Sequence, residues 1–282
     1  MLISSFNTLE MCIVSKRRQQ HKQSEAYYRQ GQQVGDKHQQ RQSRGEQQVN
    51  SERAVCNEDY DLSWFKPSVA QKSIIYGMSN HRCTIVEAPS GCGKSSTIIF
   101  QALKMMKTGK FDKILFIKTP STLGLDDLGA LSTNEVKFDV HLEAMRSIFH
   151  SFMSPEKLEM EERLGRIEFK FPNWCGGETW DKYLVVIDEN QWISPEINKL
   201  LLERCTDNTV VVVAGDSKQR YSTKWRKDGF TDLIQRVTEV NEDGERVASN
   251  ELFHYVRLTH SENRRGDFSR FITENYDNLD MS

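Results

Sequence analysis

Short runs of consecutive aliphatic residues recur along the chain: Thr84-Ile85-Val86, Ile114-Leu115-Phe116-Ile117, Tyr183-Leu184-Val185-Val186-Ile187, Val210 to Ala214, and Val256-Arg257-Leu258-Thr259. Runs of this length without polar alternation are what strands buried on both faces of a parallel sheet look like. Helix-like stretches separate them at 94–107, 154–164, 195–205 and 268–277. The third has a clear start, with Ser194 placed to cap and Pro195 at the first helical position. Strands alternating with helices predict an α/β fold, a doubly wound, mostly parallel sheet that binds ligands at the strand C-termini. The polar stretch from Asn241 to Glu245 reads as a hairpin turn inserted in this scheme.

Between residues 16 and 53 the pattern disappears. That segment holds eleven Gln, nine Lys or Arg and four Asp or Glu, a local charge of +5, with almost no large aliphatics. A segment that buries no apolar surface cannot offset its ordering entropy, so a disordered leader is expected over 1–60 and one folded domain over 61–282. The chain has 282 residues, a net charge of −2 and a mean hydropathy of −0.63. Residues 54–282 therefore carry −6. This asymmetry fits a nucleic-acid tail; a solubilising leader or an overlong reading of the start codon fits it as well. No apolar run approaches the ~20 residues of a membrane-spanning helix. In the first eighteen residues the acidic Glu10 precedes the basic cluster, the reverse of a secretory signal. Six cysteines show no CxxC and no paired Cys/His spacing, which argues against a zinc site or a disulfide framework and for reduced thiols in the cytoplasm.

The first strand runs into Ala88-Pro89-Ser90-Gly91-Cys92-Gly93-Lys94-Ser95-Ser96, followed by a helical stretch with Ile98, Ala102, Leu103 and Met106 inward. Anions need unpaired backbone N–H groups converging on a point, and a Gly-rich turn feeding a helix N-terminus supplies them. The residues from Ser90 to Ser96 (Ser90, Gly91, Cys92, Gly93, Lys94, Ser95 and Ser96) are the expected phosphate cradle. In it Lys94 adds a point charge for the β and γ phosphates, and the Ser95 hydroxyl is placed for Mg²⁺. The motif wants Gly at its first position, where Ala88 stands.

The strand from Tyr183 ends in Asp188-Glu189-Asn190-Gln191. A carboxylate at the end of a strand beside the phosphate loop is where Mg²⁺ needs its anchor, and Asp188 fits. Glu189 then sits where a general base polarises water, and Gln191 where an amide senses the γ phosphate or orients that water. The plain alternative is a polar strand-to-helix loop. Gly215-Asp216-Ser217-Lys218-Gln219 ends the next strand; Gln219 is a candidate relay between nucleotide and partner, although an ordinary turn accounts for the same residues. One of Arg264 and Arg265 would neutralise charge on the transferred phosphoryl, and the pair also reads as a solvated helix start. Upstream, Phe65 and Gln71 suit an adenine, by stacking and by an amide that reads N6 and N7; an aromatic core anchor with a surface Gln is the alternative.

Taken in order, Phe65, Gln71, the loop to Ser95, Lys113 to Pro120, Gly165 to Phe169, Trp174 to Thr179, Val186 to Gln191, Val213 to Gln219 and Arg264-Arg265 resemble the PhoH-like ATPases over about residues 64–277. Those proteins in turn resemble the first RecA-like domain of superfamily 1 helicases. The resemblance implies a single RecA-like P-loop NTPase domain that binds ATP with Mg²⁺, the metal held by Ser95 and Asp188. It also implies catalysis by Glu189, Gln191, Gln219 and Arg265. Matching the helicase Asn-x-Arg-Ser pattern onto Asn263-Arg264-Arg265-Gly266 selects Arg265 over Arg264. The family's Arg-Gly-Arg-Thr stretch stands here as Cys175-Gly176-Gly177-Glu178-Thr179, without those arginines.

The expected function is ATP hydrolysis coupled to nucleic acid, RNA before DNA, with no membrane partner. The chain shows no second RecA-like domain to close the site, so a homo-oligomer, a ring with a basic residue supplied in trans, is expected. Two alternatives stand beside it. Thymidine-kinase-like proteins also place Asp-Glu-x-Gln after a P-loop, but have no need of the Gly-Asp-x-x-Gln and terminal Arg motifs. A nucleotide-gated nucleic-acid-binding module with little turnover would use the same loop.

Overall fold

The computed structural model describes residues 59–119, 135–219 and 228–279. The chain divides into two units, Met1–Glu58 and Asp59–Ser282, and the leader expected over 1–60 lies outside the described residues up to Glu58. Helix α1 (Val69–Asn80) opens the second unit. Its start is set by Ser68, whose hydroxyl accepts the Gln71 N–H while the Gln71 side chain accepts the Ser68 N–H, a reciprocal capping box. Then follow β1 (Cys83–Glu87), α2 (Lys94–Lys107), β2 (Lys113–Lys118), α3 (Glu135–Phe149), α4 (Pro155–Arg163), β3 (Ile167–Lys170) and β4 (Tyr183–Asp188). The remainder is α5 (Pro195–Leu202), β5 (Val210–Gly215), α6 (Gly229–Val237), β6 (Thr238–Val240), β7 (Arg246–Ala248), β8 (Phe253–Arg257) and α7 (Asp267–Leu279).

Six strands form one sheet in the order β3-β2-β4-β5-β1-β8, every neighbouring pair parallel. Alternate residues feed two cores. Val86, Ile114, Phe116, Leu184, Val186 and Val212 pack under α1 to α4, with Ile74, Ile98, Leu103, Phe149 and Leu158. Ile85, Leu115, Ile117, Val185, Ile187, Val211 and Val213 pack under α5 and α6, with Leu201, Phe230 and Leu233. Both faces of the sheet are dry, which is why its central strands read as unbroken aliphatic runs. This is the expected doubly wound α/β architecture. β6 and β7 pair antiparallel around Asn241–Glu245, the hairpin expected there.

β5 runs between β1 and β4. The structure corrects three local expectations. The last strand begins at Phe253, three residues before the aliphatic run, because Phe253, His254 and Tyr255 pair with β1 at the sheet's edge and need no such run. β3 sits at the opposite edge and was likewise unmarked. Helices α1, α3 and α6 lie outside the four helix-like stretches. For two of them a local signal existed, the Ser68–Gln71 capping box and Asp228, whose carboxylate accepts the Thr231 N–H at the start of α6.

At the β8 edge the His254 ring stacks on His81 at 5.0 Å, and its Nε2 lies 3.1 Å from the Ser73 hydroxyl. Burial, then the neighbouring His81, holds His254 below its ordinary value of 6.5. The folded chain thus binds fewer protons than the unfolded one as pH falls from about 6.5, and stability drops through that window. Melting temperatures at pH 7.5 and 5.5 check this: the fall on acidification should shrink in His254→Gln.

Candidate nucleotide site

The loop between β1 and α2 turns on two glycines, Gly91 at φ +85° and Gly93 at φ +70°, both in the left-handed region that side chains disfavour. Gly93 is the N-cap of α2 and has no side chain to cap with, so the first N–H groups of the helix are left for a ligand. A Cβ at Gly93 would come within 2.8 Å of the Gln71 amide nitrogen, and one at Gly91 within 2.9 Å of the Asn263 amide. The loop is therefore clasped from two sides. Lys94 is buried, its Nζ 3.5 Å from the Ala88 carbonyl oxygen. Ser96 is half-buried in the first turn of α2.

At the start of α2 the Ser95 hydroxyl donates to Asp188 Oδ2 at 3.0 Å. Asp188 is buried at the end of β4, two strands from β1, and the Lys118 ammonium at the end of β2 lies 3.6 Å from the same oxygen. Asp188 Oδ1 accepts the N–H of Glu189. Glu189 itself sits at φ +55°, ψ +42°, a left-handed conformation that a Glu holds only when its surroundings impose it. Gln191 is buried beside it. Its Nε2 donates to Glu189 Oε2 at 2.7 Å, and its Oε1 accepts the Asp216 N–H at 3.2 Å. Gln191 thus joins the end of β4 to the turn after β5. The Gln219 N–H closes that turn on the Asp216 carbonyl.

The segment after β8 lies directly on the loop. The Arg264 N–H donates to Gly91 O at 2.9 Å, and Arg265 Nη1 donates to the Ser90 hydroxyl at 2.9 Å. The Cys92 thiol lies 3.4 Å from Thr259 O, and burial pushes its pKa up to about 11, so it stays protonated at neutral pH. Gln71 is buried behind the loop, its Nε2 donating to Cys92 O at 3.0 Å. It is not the surface Gln of the plain alternative; it braces the cradle. Phe65 stands apart from these contacts, with its ring 5.0 Å from Phe100 and 5.9 Å from Phe152.

The PhoH-like protein family model matches residues 66–276, three-quarters of the chain and nearly all of its second unit. The chain belongs to the PhoH-like family. A PhoH-like protein of Synechocystis sp. is 25% identical over 179 residues, covering 63% of this chain and 53% of its own. One of Bacillus subtilis is 24% identical over 164 residues, covering 58% and 51%, and Protein PhoH of Escherichia coli is 21% identical over 173 residues, covering 60% and 49%. The chain thus aligns with about half the length of each of these curated relatives. Among solved structures, the DUF1998 helicase MrfA bound to DNA aligns with 67% of this chain and 27% of its own, at a TM-score of 0.39 and 9% identity.

Two departures of this PhoH-like chain from the usual motifs have local explanations. Ala88 is not among the residues with positive φ, its methyl is fully buried, and its N–H donates to Gly215 O, so nothing at that position requires glycine. In the Gly176-Gly177-Glu178 stretch, Glu178 pairs with Lys170 at 2.6 Å and accepts from the Trp180 indole at 3.2 Å. That stretch fastens the end of β3 to the approach of β4. Three contributors escaped the sequence reading: Lys118, Asn263 and Glu87, the last of which accepts from Ser217 and Tyr255. Lys118 had a signal, a charge at the end of a buried run; Asn263 stands in the Asn-x-Arg-Ser match, but its approach to the Ser90 carbonyl spans 173 residues, and Glu87 acts through partners more than a hundred residues away.

Oxygen donors from Ser95 and Asp188 fit Mg²⁺, which takes few protein ligands and keeps phosphate and water oxygens. Among the described residues no group of three or more His, Cys, Asp or Glu could hold a metal by itself, and no helix is long and apolar enough to cross a membrane.

Proposed function

We propose that this chain binds ATP with Mg²⁺ and hydrolyses it, in the cytoplasm, in step with binding a nucleic acid, RNA before DNA. The observation that carries the reading is the 3.0 Å contact between the loop hydroxyl of Ser95 and the buried carboxylate of Asp188, with Lys94 at the same helix start. Ser95 and Asp188 thus approach each other from the start of α2 and the end of β4, with the Lys94 ammonium 3.5 Å from Ala88 O. The free N–H groups of the loop and Lys94 hold the phosphates, and Ser95 and Asp188 hold the metal. When bound, Mg²⁺ neutralises charge on the phosphate oxygens. Glu189 takes a proton from the attacking water, Gln191 and Gln219 respond to the γ phosphate, and Arg265 meets the charge that develops on transfer. Phe65 and Gln71 form the adenine side, on the condition that Gln71 exchanges its bonds to Ser68 and Cys92 for the base.

Arg265 already reaches the loop of its own chain, so in the proposed homo-oligomer or ring the basic residue supplied in trans would be a second one. The second reading, a nucleotide-gated module with little turnover, draws on the grip of Gln191 on the Glu189 carboxylate.

Phosphate release by the full chain, with and without single-stranded RNA, tests the function. Release that rises with RNA supports it, and no release under either condition favours the gated module. Lys94→Ala should weaken MgATP binding by roughly ten- to a hundredfold, the range expected for losing hydrogen bonds to a charged group. Unchanged affinity by calorimetry would remove the loop from the reading.

A further inference from the structure

Between β8 and α7 the chain crosses the outer turn of the phosphate loop, and within 259–266 Asn263 is the one buried residue. Its amide is used at both ends. Oδ1 accepts the Arg265 N–H at 2.9 Å. Nδ2 donates to the Ser269 hydroxyl at 3.2 Å and, in a longer contact of 3.4 Å, faces the Ser90 carbonyl. The amide packs so closely on Gly91 that the glycine has no room for a Cβ. The next peptide adds the Arg264 N–H on Gly91 O. A turn-forming Asn needs only its oxygen and leaves its NH₂ in water; here the NH₂ is buried and faces a carbonyl 173 residues away.

We propose that Asn263 is a positioning residue of the nucleotide site, holding the Ser90–Gly91 turn and the Arg265 guanidinium in one fixed relation. The proposal rests on the ATPase reading above. Through Oδ1, Asn263 fixes the backbone from which Arg265 projects; through Nδ2 and the packing on Gly91, it fixes the turn that Arg265 touches at Ser90. Loop and guanidinium then face a transferred phosphoryl as one preorganised unit, and misplacement of either by a fraction of an ångström lowers turnover more than binding. Asp would keep the acceptor but lose both donor contacts, and Gln, one methylene longer, would be driven into Gly91.

The test is a double-mutant cycle in the full chain with Mg²⁺. Single-turnover phosphate release and affinity for a fluorescent ATP analogue are measured in wild type, Asn263→Ala, Arg265→Ala and the double variant. Asn263→Ala should slow release by roughly tenfold and weaken affinity less. In the Arg265→Ala background the same change should add less than about twofold, since a residue that acts through Arg265 has little left to lose. Effects that multiply would overturn the proposal and leave Asn263 a stabilising turn residue. Should Asn263→Ala fail to fold, Asn263→Asp, nearly the same size, carries the cycle with the same criterion. If wild type releases no phosphate, the ATPase reading fails by itself. Positioning is then judged on analogue affinity, where a several-fold loss in Asn263→Ala supports it and an unchanged value overturns it.

Discussion

Replacing Glu189 by Gln is expected to slow phosphate release by about 10²–10⁴-fold, the usual contribution of a positioned general base, while leaving MgATP affinity nearly unchanged. The substitution keeps the volume and the oxygen that accepts from Gln191 Nε2, so the 2.7 Å contact and the left-handed backbone at 189 have no reason to change. Only the basicity is lost. Neighbouring Asp188, which carries the Ser95 contact and the Lys118 ion pair, is untouched, so the phosphate and metal side of the site stays as it is. Stopped-flow release with a phosphate sensor, beside calorimetric titration of MgATP, measures both quantities. A variant that turns over as fast as wild type would assign the base elsewhere, and two proteins that bind ATP equally and release nothing would favour the gated module.

Arg265→Ala should show a comparable loss, on the order of 10³-fold or more in the transfer step, as expected for an arginine that meets charge on the moving phosphoryl. The guanidinium is exposed and its contact to the loop is a single bond to the Ser90 hydroxyl, so its removal should disturb nucleotide binding and the fold little. Arg265→Lys keeps the charge but not the planar fork and should recover only part of the rate. Turnover number set against analogue affinity separates the outcomes. Equal losses in both, matching Lys94→Ala, would make Arg265 a binding residue and return the transition-state role to Lys94 or to a neighbouring subunit.

Much of the site can be read from the chain because its parts are local. The Gly91-Cys92-Gly93-Lys94-Ser95 turn needs positive φ at two glycines and a helix directly after it, and both requirements are written in consecutive residues. Asp188 and Glu189 follow a strand whose aliphatic run is unbroken because both its faces are dry. The sequence offers Gln191 only as a candidate γ-phosphate amide and does not show its partners, Glu189 and the Asp216 N–H, the second of which is 25 residues away in the turn after β5. The edge strands β3 and β8 were faint or displaced in the sequence for the opposite reason: strands paired on one flank do not need a continuous apolar run.

What the sequence determined by itself is the inventory: a phosphate loop between strand and helix, an acidic pair at a strand end, a parallel sheet with helices on both faces, and an arginine after the last strand. Each depends on contacts within a few residues or on burial of a whole run, and those leave a periodic or compositional trace. Tertiary structure alone decided that β5 lies between β1 and β4, that Lys118 balances Asp188, that Gln71 braces the loop from behind, and that Asn263 and Arg265 close over it in the same chain. These are pairings between different elements, set by strand order and helix packing, and a contact made only when two elements dock leaves no periodic or compositional mark on either neighbourhood.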